Sequence, residues 1–198
     1  MTWVKICGLT RLEDIEVAEA AGADAIGLVL VADSPRALTV DKAADLAGAV
    51  TTQAVLLTKD LLPVDLVAAA LAVGVDAVQP YGAHAHEAAE AAGEAGLFVL
   101  RPIAPGTEMS TIPPGHVLLF DNPDGPALGG SGRSFDHSLI PRTDRRFVLA
   151  GGLGPDNVGD AIRSTHAWGV DASSRLEVRP GVKDHDLVTR FVQEAKKA

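Results

Sequence analysis

The chain is short of cysteine, of positive charge and of long apolar runs, and each shortage excludes something. One Cys among 198 residues rules out an internal disulfide and fits a reducing compartment. Lys and Arg number 17 against 26 Asp and Glu, a formal charge of −9, so no basic surface is available to hold nucleic acid or anionic lipid nonspecifically. No apolar run approaches the ~18–20 residues of a membrane span. The opening residues carry Lys5 and Cys7 where a secretory signal needs an unbroken apolar stretch. The expectation is a cytoplasmic protein that engages neither nucleic acid nor membrane. At 47% hydrophobic the chain is not expected to be disordered. Its length suits one domain over residues 1–198, because chains split only beyond ~250–300 residues.

Short β-type runs recur, most of them separated by Ala-rich helical stretches. Strands are expected near Trp3–Cys7, Ala25–Val31, Gln53–Leu57, Ala77–Gln79, Phe98–Pro102, Val117–Asp121, Phe147–Ala150 and Gly169–Ala172. Helices fit Leu12–Ala21, Asp41–Ala49, Val64–Val73, His84–Ala95, Ser134–Ile140, Pro155–Ser164 and Asp186–Lys196. On the first helix Leu12, Ile15, Val17 and Ala18 fall near one face, with Glu13, Asp14, Glu16 and Glu19 largely elsewhere. The Pro- and Gly-rich stretch Ala104–Gly115 is expected to hold only a short helical turn. Such alternation demands a parallel sheet covered by helices. The first strand ends in Cys-Gly-Leu-Thr rather than a dinucleotide-binding glycine turn, which favours a compact, single-domain (βα)8 TIM barrel, of the α/β class with eight parallel strands.

In such a barrel function sits at the C-terminal ends of the strands. Cys7 ends the first strand and reads either as a small buried hydrophobe or as a reactive thiol. Asp121 ends the sixth, as a catalytic carboxylate or the start of a polar loop. Arg36, after the second, can clamp a carboxylate in a forked pair or lie solvated in its loop. Small or hydroxyl-bearing turns follow strands six, seven and eight at Gly130-Ser131-Gly132, Gly151-Gly152-Leu153 and Ser173-Ser174. They let backbone N–H groups approach an anion, and the last two occupy the usual barrel phosphate site. Parity adds an ion pair. If Cys7 points inward so does Lys5, and on strand eight Asp171 shares the parity of Ser173. A buried Lys5 would need a partner such as Asp171. That pair either tunes Cys7 or is purely structural. No His, Cys, Asp and Glu cluster has metal-ligand spacing, and no metal is expected.

The segments Val4-Lys5-Ile6-Cys7-Gly8-Leu9-Thr10, Ser34-Pro35-Arg36, Leu118-Leu119-Phe120-Asp121, Gly129-Gly130-Ser131-Gly132, Ala150-Gly151-Gly152-Leu153-Gly154-Pro155 and Asp171-Ala172-Ser173-Ser174, in this order and spacing, resemble the phosphoribosylanthranilate isomerase family. The resemblance implies an Amadori rearrangement of a small phosphoribosyl substrate in tryptophan biosynthesis. It implies Cys7 as general base, Asp121 as general acid and Arg36 on the anthranilate carboxylate. Phosphate would be held by Gly130, Ser131, Gly132, Gly151, Gly152, Leu153, Ser173, Ser174 and Arg175. No organic cofactor is expected, because no electrons or groups leave the molecule. A monomer or a homodimer is equally compatible with the sequence.

The chain departs from the family pattern in four places. Gln79-Pro80-Tyr81-Gly82 stands where Gln-Leu-His-Gly is common. Arg175 replaces a usual Gly, Ser131 a usual Thr and His137 a usual Trp. Arg175 is expected to face the phosphate region, and Tyr81 reads as a structural ring more readily than as a hydroxyl for substrate. Two rival functions stay open. One is a histidine-pathway or dual-substrate aminoaldose isomerase, against which Cys7 speaks because that chemistry usually pairs two aspartates. The other is a drifted, non-catalytic phosphosugar-binding barrel.

Overall fold

The structure, a computed structural model of the chain, describes residues 1–103, 107, 109–121 and 139–198. Eight parallel strands close into a barrel in sequence order. They are β1 (Trp3–Cys7), β2 (Ala25–Leu30), β3 (Gln53–Lys59), β4 (Ala77–Tyr81), β5 (Phe98–Ile103), β6 (Val117–Phe120), β7 (Phe147–Leu149) and β8 (Gly169–Ala172). The described helices are α1 (Leu12–Ala21), α2 (Val40–Ala47), α3 (Pro63–Val73), α4 (Ala85–Glu94), α5 (Val158–Thr165) and α6 (His185–Lys197). The short helical turn expected in the Pro- and Gly-rich stretch is Met109–Thr111. The helix expected over Ser134–Ile140 lies mostly outside the described residues.

The two-residue period of a strand sorts side chains into two apolar clusters. On β1, Val4 and Ile6 join the larger cluster between strands and helices. Cys7 joins Val29, Val55, Leu57, Leu119 and Val148 in the smaller cluster inside the barrel. Helices supply the outer wall by the helical period. On α6, Val188, Phe191, Val192 and Ala195 fall on one buried face, and each large side chain removed from water contributes about 1.5–3 kcal/mol. Asp184 starts α6 by accepting from the backbone N–H groups of Asp186 and Leu187, both at 3.1 Å. The strand-start end of the barrel is closed by Trp3 stacked on Trp168, ring centroids 5.3 Å apart, with the Arg146 guanidinium 5.4 Å from the Trp168 ring centre. The opposite mouth is left for chemistry.

Two local expectations need correction, and one element was not foreseen. On α1, Asp14 is fully buried and Leu12 is exposed. The carboxylate can go inward because every side of it is bonded. Arg11 donates at 3.1 and 2.7 Å, the Lys183 backbone N–H at 3.2 Å, and the His185 ring lies 2.9 Å away. Helix α5 begins at Val158 rather than Pro155, because the Asn157 side chain organises the preceding turn. It accepts from the Gly154 N–H at 2.8 Å and donates to the Gly152 carbonyl at 3.1 Å. After β8 a hairpin that the sequence reading missed, β9 (Glu177–Arg179) and β10 (Val182–Lys183), folds back antiparallel. No described helix is long and apolar enough to cross a membrane.

Candidate active site

Parallel strands bring all their C-terminal ends to one mouth, and a cavity of about 500 Å³ opens there. Cys7, Arg36, Asp121, Gly151, Gly152, Leu153, Asp171, Ser173, Ser174 and Arg175 all line it. The expected residues of the turn after β6, Gly130, Ser131 and Gly132, lie outside the described residues.

Cys7 enters as the last residue of β1 and is 7% exposed. It pairs in register with Gly27 of β2. A Cβ at Gly27 would stand 2.8 Å from Cys7 Sγ, so the absent side chain is what leaves room for the thiol. Beneath it, Lys5 and Asp171 are register partners across the β1–β8 seam, and Lys5 Nζ donates to Asp171 Oδ2 at 2.6 Å. Burial pulls the Lys5 ammonium down, but Asp171 and then Cys7 more than restore it, leaving it above its ordinary value. For Cys7 the balance falls the other way. Burial pushes the thiol above its ordinary value, while Lys5 and Lys183 oppose the rise and Asp171 adds to it. The lysine therefore limits the cost of the thiolate without reversing it.

Arg36 holds a partner that the sequence reading did not anticipate. Its Nε and Nη2 donate to the two oxygens of Glu177 at 2.8 and 2.7 Å. Glu177 also accepts from Lys183 Nζ at 2.8 Å, its partner across the β9–β10 hairpin. Lys183 in turn donates to the Ser173 carbonyl at 3.2 Å. Burial would raise the Glu177 carboxyl, yet Arg36 and Lys183 hold it below its ordinary value. One edge of the Arg36 fork is thus filled by an internal carboxylate. The turn signal Pro180-Gly181 was the available clue to this hairpin.

Asp121 follows the last residue of β6. Its Oδ2 accepts from the Tyr81 hydroxyl at 3.3 Å. That hydroxyl accepts from Gln79 Nε2 at 2.7 Å, so Tyr81 presents its hydroxyl to the cavity rather than serving only as a ring. On the other side, Gly151 and Gly152 adopt φ of +85° and +66°, a backbone that turns their peptide groups at little steric cost. Leu153 is 1% exposed, so it offers the site backbone rather than side chain. Arg175 is exposed and donates from Nη1 to the Gly152 carbonyl at 3.0 Å. Among the described residues no group of three or more His, Cys, Asp or Glu is placed to hold a metal ion.

A thiol and a carboxyl at strand ends, an arginine and two small-residue turns share one cavity. Residues 4–194 match the family model for N-(5'-phosphoribosyl)anthranilate (PRA) isomerase. The chain belongs to this family. An N-(5'-phosphoribosyl)anthranilate isomerase of Erythrobacter litoralis is 40% identical over 209 residues, covering 100% of each chain. The crystal structure of phosphoribosyl anthranilate isomerase from Thermotoga maritima superposes with a TM-score of 0.89 at 32% identity over 100% of each chain. A phosphoribosyl anthranilate isomerase in complex with reduced 1-(o-carboxyphenylamino)-1-deoxyribulose 5-phosphate gives 0.83 at 28% identity, again over 100% of each. Within the phosphoribosylanthranilate isomerase frame, Arg175 stands where a glycine was expected. Among the described non-glycine residues only Asp60 and His166 have positive φ, so Arg175 needs no glycine backbone.

Proposed function

We propose that this chain converts N-(5'-phosphoribosyl)anthranilate to 1-(2-carboxyphenylamino)-1-deoxyribulose 5-phosphate. The observation that carries the reading is that Cys7, Arg36, Asp121 and the turns after β7 and β8 line one cavity. Asp121 gives a proton to the ribose ring oxygen as the C1–O bond breaks, and the nitrogen lone pair forms an iminium at C1. The iminium acidifies the C2 hydrogen, which the Cys7 thiolate removes, and the resulting enolamine settles as the ketone. Burial disfavours the thiolate in the empty site. The iminium brings a positive charge beside it during turnover and so favours the ionised form at the step that needs it.

Arg36 presents its remaining edge, through Nη1, to the anthranilate carboxylate, while Glu177 fixes the other edge. The phosphate sits against the turns at Gly151-Gly152-Leu153 and Ser173-Ser174, with Arg175 at the rim. The turn at Gly130-Ser131-Gly132 completes this cradle in the proposal.

Purified protein incubated with enzymatically generated phosphoribosylanthranilate is expected to abolish the substrate's fluorescence. Retained binding of a phosphorylated product analogue without turnover would instead mark a drifted binding barrel. Turnover of the histidine-pathway aminoaldose as well would mark a dual-substrate isomerase.

A further inference from the structure

Tyr81 is the last residue of β4, and its position is set by both backbone and side chain. The Asp60 N–H donates to the Tyr81 carbonyl at 2.9 Å, and Lys59 is its register partner on β3. Two residues earlier on the same strand face, Gln79 is fully buried. Gln79 Nε2 donates to the Tyr81 hydroxyl at 2.7 Å, while Gln79 Oε1 is buried with no hydrogen-bond partner among the described residues. Since the hydroxyl already accepts from an amide, its own single proton points onward, and Asp121 Oδ2 lies 3.3 Å away. Burial, and then Asp121, push the phenol well above its ordinary value. The hydroxyl therefore keeps its proton across any pH at which the enzyme works. Besides Tyr81 and Asp121, the titratable groups facing this cavity are Cys7, Asp33, Arg36, Lys59, Asp171 and Arg175.

We propose that Tyr81 is a positioning residue for proton transfer, its hydroxyl held by Gln79 and donating to Asp121 Oδ2 as Asp121 delivers its proton to substrate. This rests on the reading of Asp121 as the general acid. The Asp121 O–H bond breaks, the ring oxygen takes the proton, and the C1–O electron pair stays on that oxygen. The negative charge left on the carboxylate spreads to Oδ2, where the Tyr81 hydrogen bond strengthens as the charge develops. A bond that is stronger in the transition state than before it accelerates the step.

The test is the pH dependence of kcat for wild type, Tyr81→Phe, Tyr81→His, Gln79→Met and Asp121→Asn, each checked for folding by circular dichroism. Tyr81→Phe is expected to lower kcat about tenfold, the scale of one hydrogen bond to a charged group, with KM within about twofold. Loss of the donor weakens the acid, so the fall of kcat at high pH moves upward by about one pH unit. Tyr81→His, the residue common in the family at this position, restores a ring N–H donor and part of the rate. Gln79→Met moves the limb the same way by less, and carries the test should Tyr81→Phe not fold. An unmoved limb in Tyr81→Phe, whether kcat falls or not, would overturn the positioning role while an inactive Asp121→Asn kept the acid assignment. Near-normal turnover by Asp121→Asn would overturn both.

Discussion

Replacing Lys5 by Met removes the charge under the cavity while nearly keeping the volume. Lys5 is fully buried, and its Nζ is 2.6 Å from Asp171 Oδ2. Asp171 Oδ1 is buried without a hydrogen bond to any described residue. The substitution strands a buried carboxylate, and breaking such a pair costs about 3–5 kcal/mol, read as a lower urea midpoint. Lys5 sits above its ordinary value in the fold. Its contribution is therefore fully present below about pH 10.4 and is lost only as pH rises through the folded value. Wild type and variant should converge only in strong alkali. The second consequence is at Cys7. Residues two apart on a strand lie ~6.7 Å apart, which at an effective dielectric of ~20 gives ~2.5 kcal/mol between unit charges. Asp171 stays in the variant, so the whole of the Lys5 effect is lost and the thiol should titrate about two pH units higher. Cys7 is the chain's one thiol, so thiolate absorbance or the pH dependence of alkylation reports it alone. A thiol that titrates at the same pH or lower in Lys5→Met would refute the reasoning.

Gly27→Ala forces a methyl to within 2.8 Å of Cys7 Sγ and should cost about 1–3 kcal/mol by overpacking. Thermal unfolding and the alkylation rate of Cys7 check it, and an unchanged thiol would contradict the packing account. Glu177→Gln leaves the guanidinium of Arg36 and the buried Lys183 ammonium short of their carboxylate, for about 3–5 kcal/mol and a raised KM. Because the Glu177 carboxyl lies below its ordinary value, this stability is present above about pH 4.3 and is lost as pH falls through the folded value. Denaturation at pH 7 and pH 3 should show the gap between wild type and variant closing in acid. Arg175→Ala removes a charge at the proposed phosphate rim and should raise KM about tenfold with kcat little changed. Equal KM values would place the phosphate elsewhere.

The barrel was legible because its signals are periodic and local. Strand alternation put Lys5 and Cys7 on one face, and the register of β1 with β8 then made Asp171 the natural partner of Lys5. Side chains whose partners come from distant segments were not legible. The period of α1 sends Asp14 towards solvent. Only the folded chain brings Lys183 and His185 to the carboxylate, though Arg11 three residues earlier was a local hint. Glu177 was missed because β9 and β10 are too short to show a period, and its bond to Arg36 spans 141 residues. Tyr81 was read as a ring because nothing local reveals that β4 and the end of β6 bring its hydroxyl to Asp121.

The central claim is that Cys7 removes the C2 proton in the cavity shared with Arg36 and Asp121. Its most direct test is turnover of phosphoribosylanthranilate by Cys7→Ala, with product-analogue binding measured on the same preparation. The account predicts a loss of several orders of magnitude in kcat with binding retained. Near-normal turnover by Cys7→Ala would contradict it.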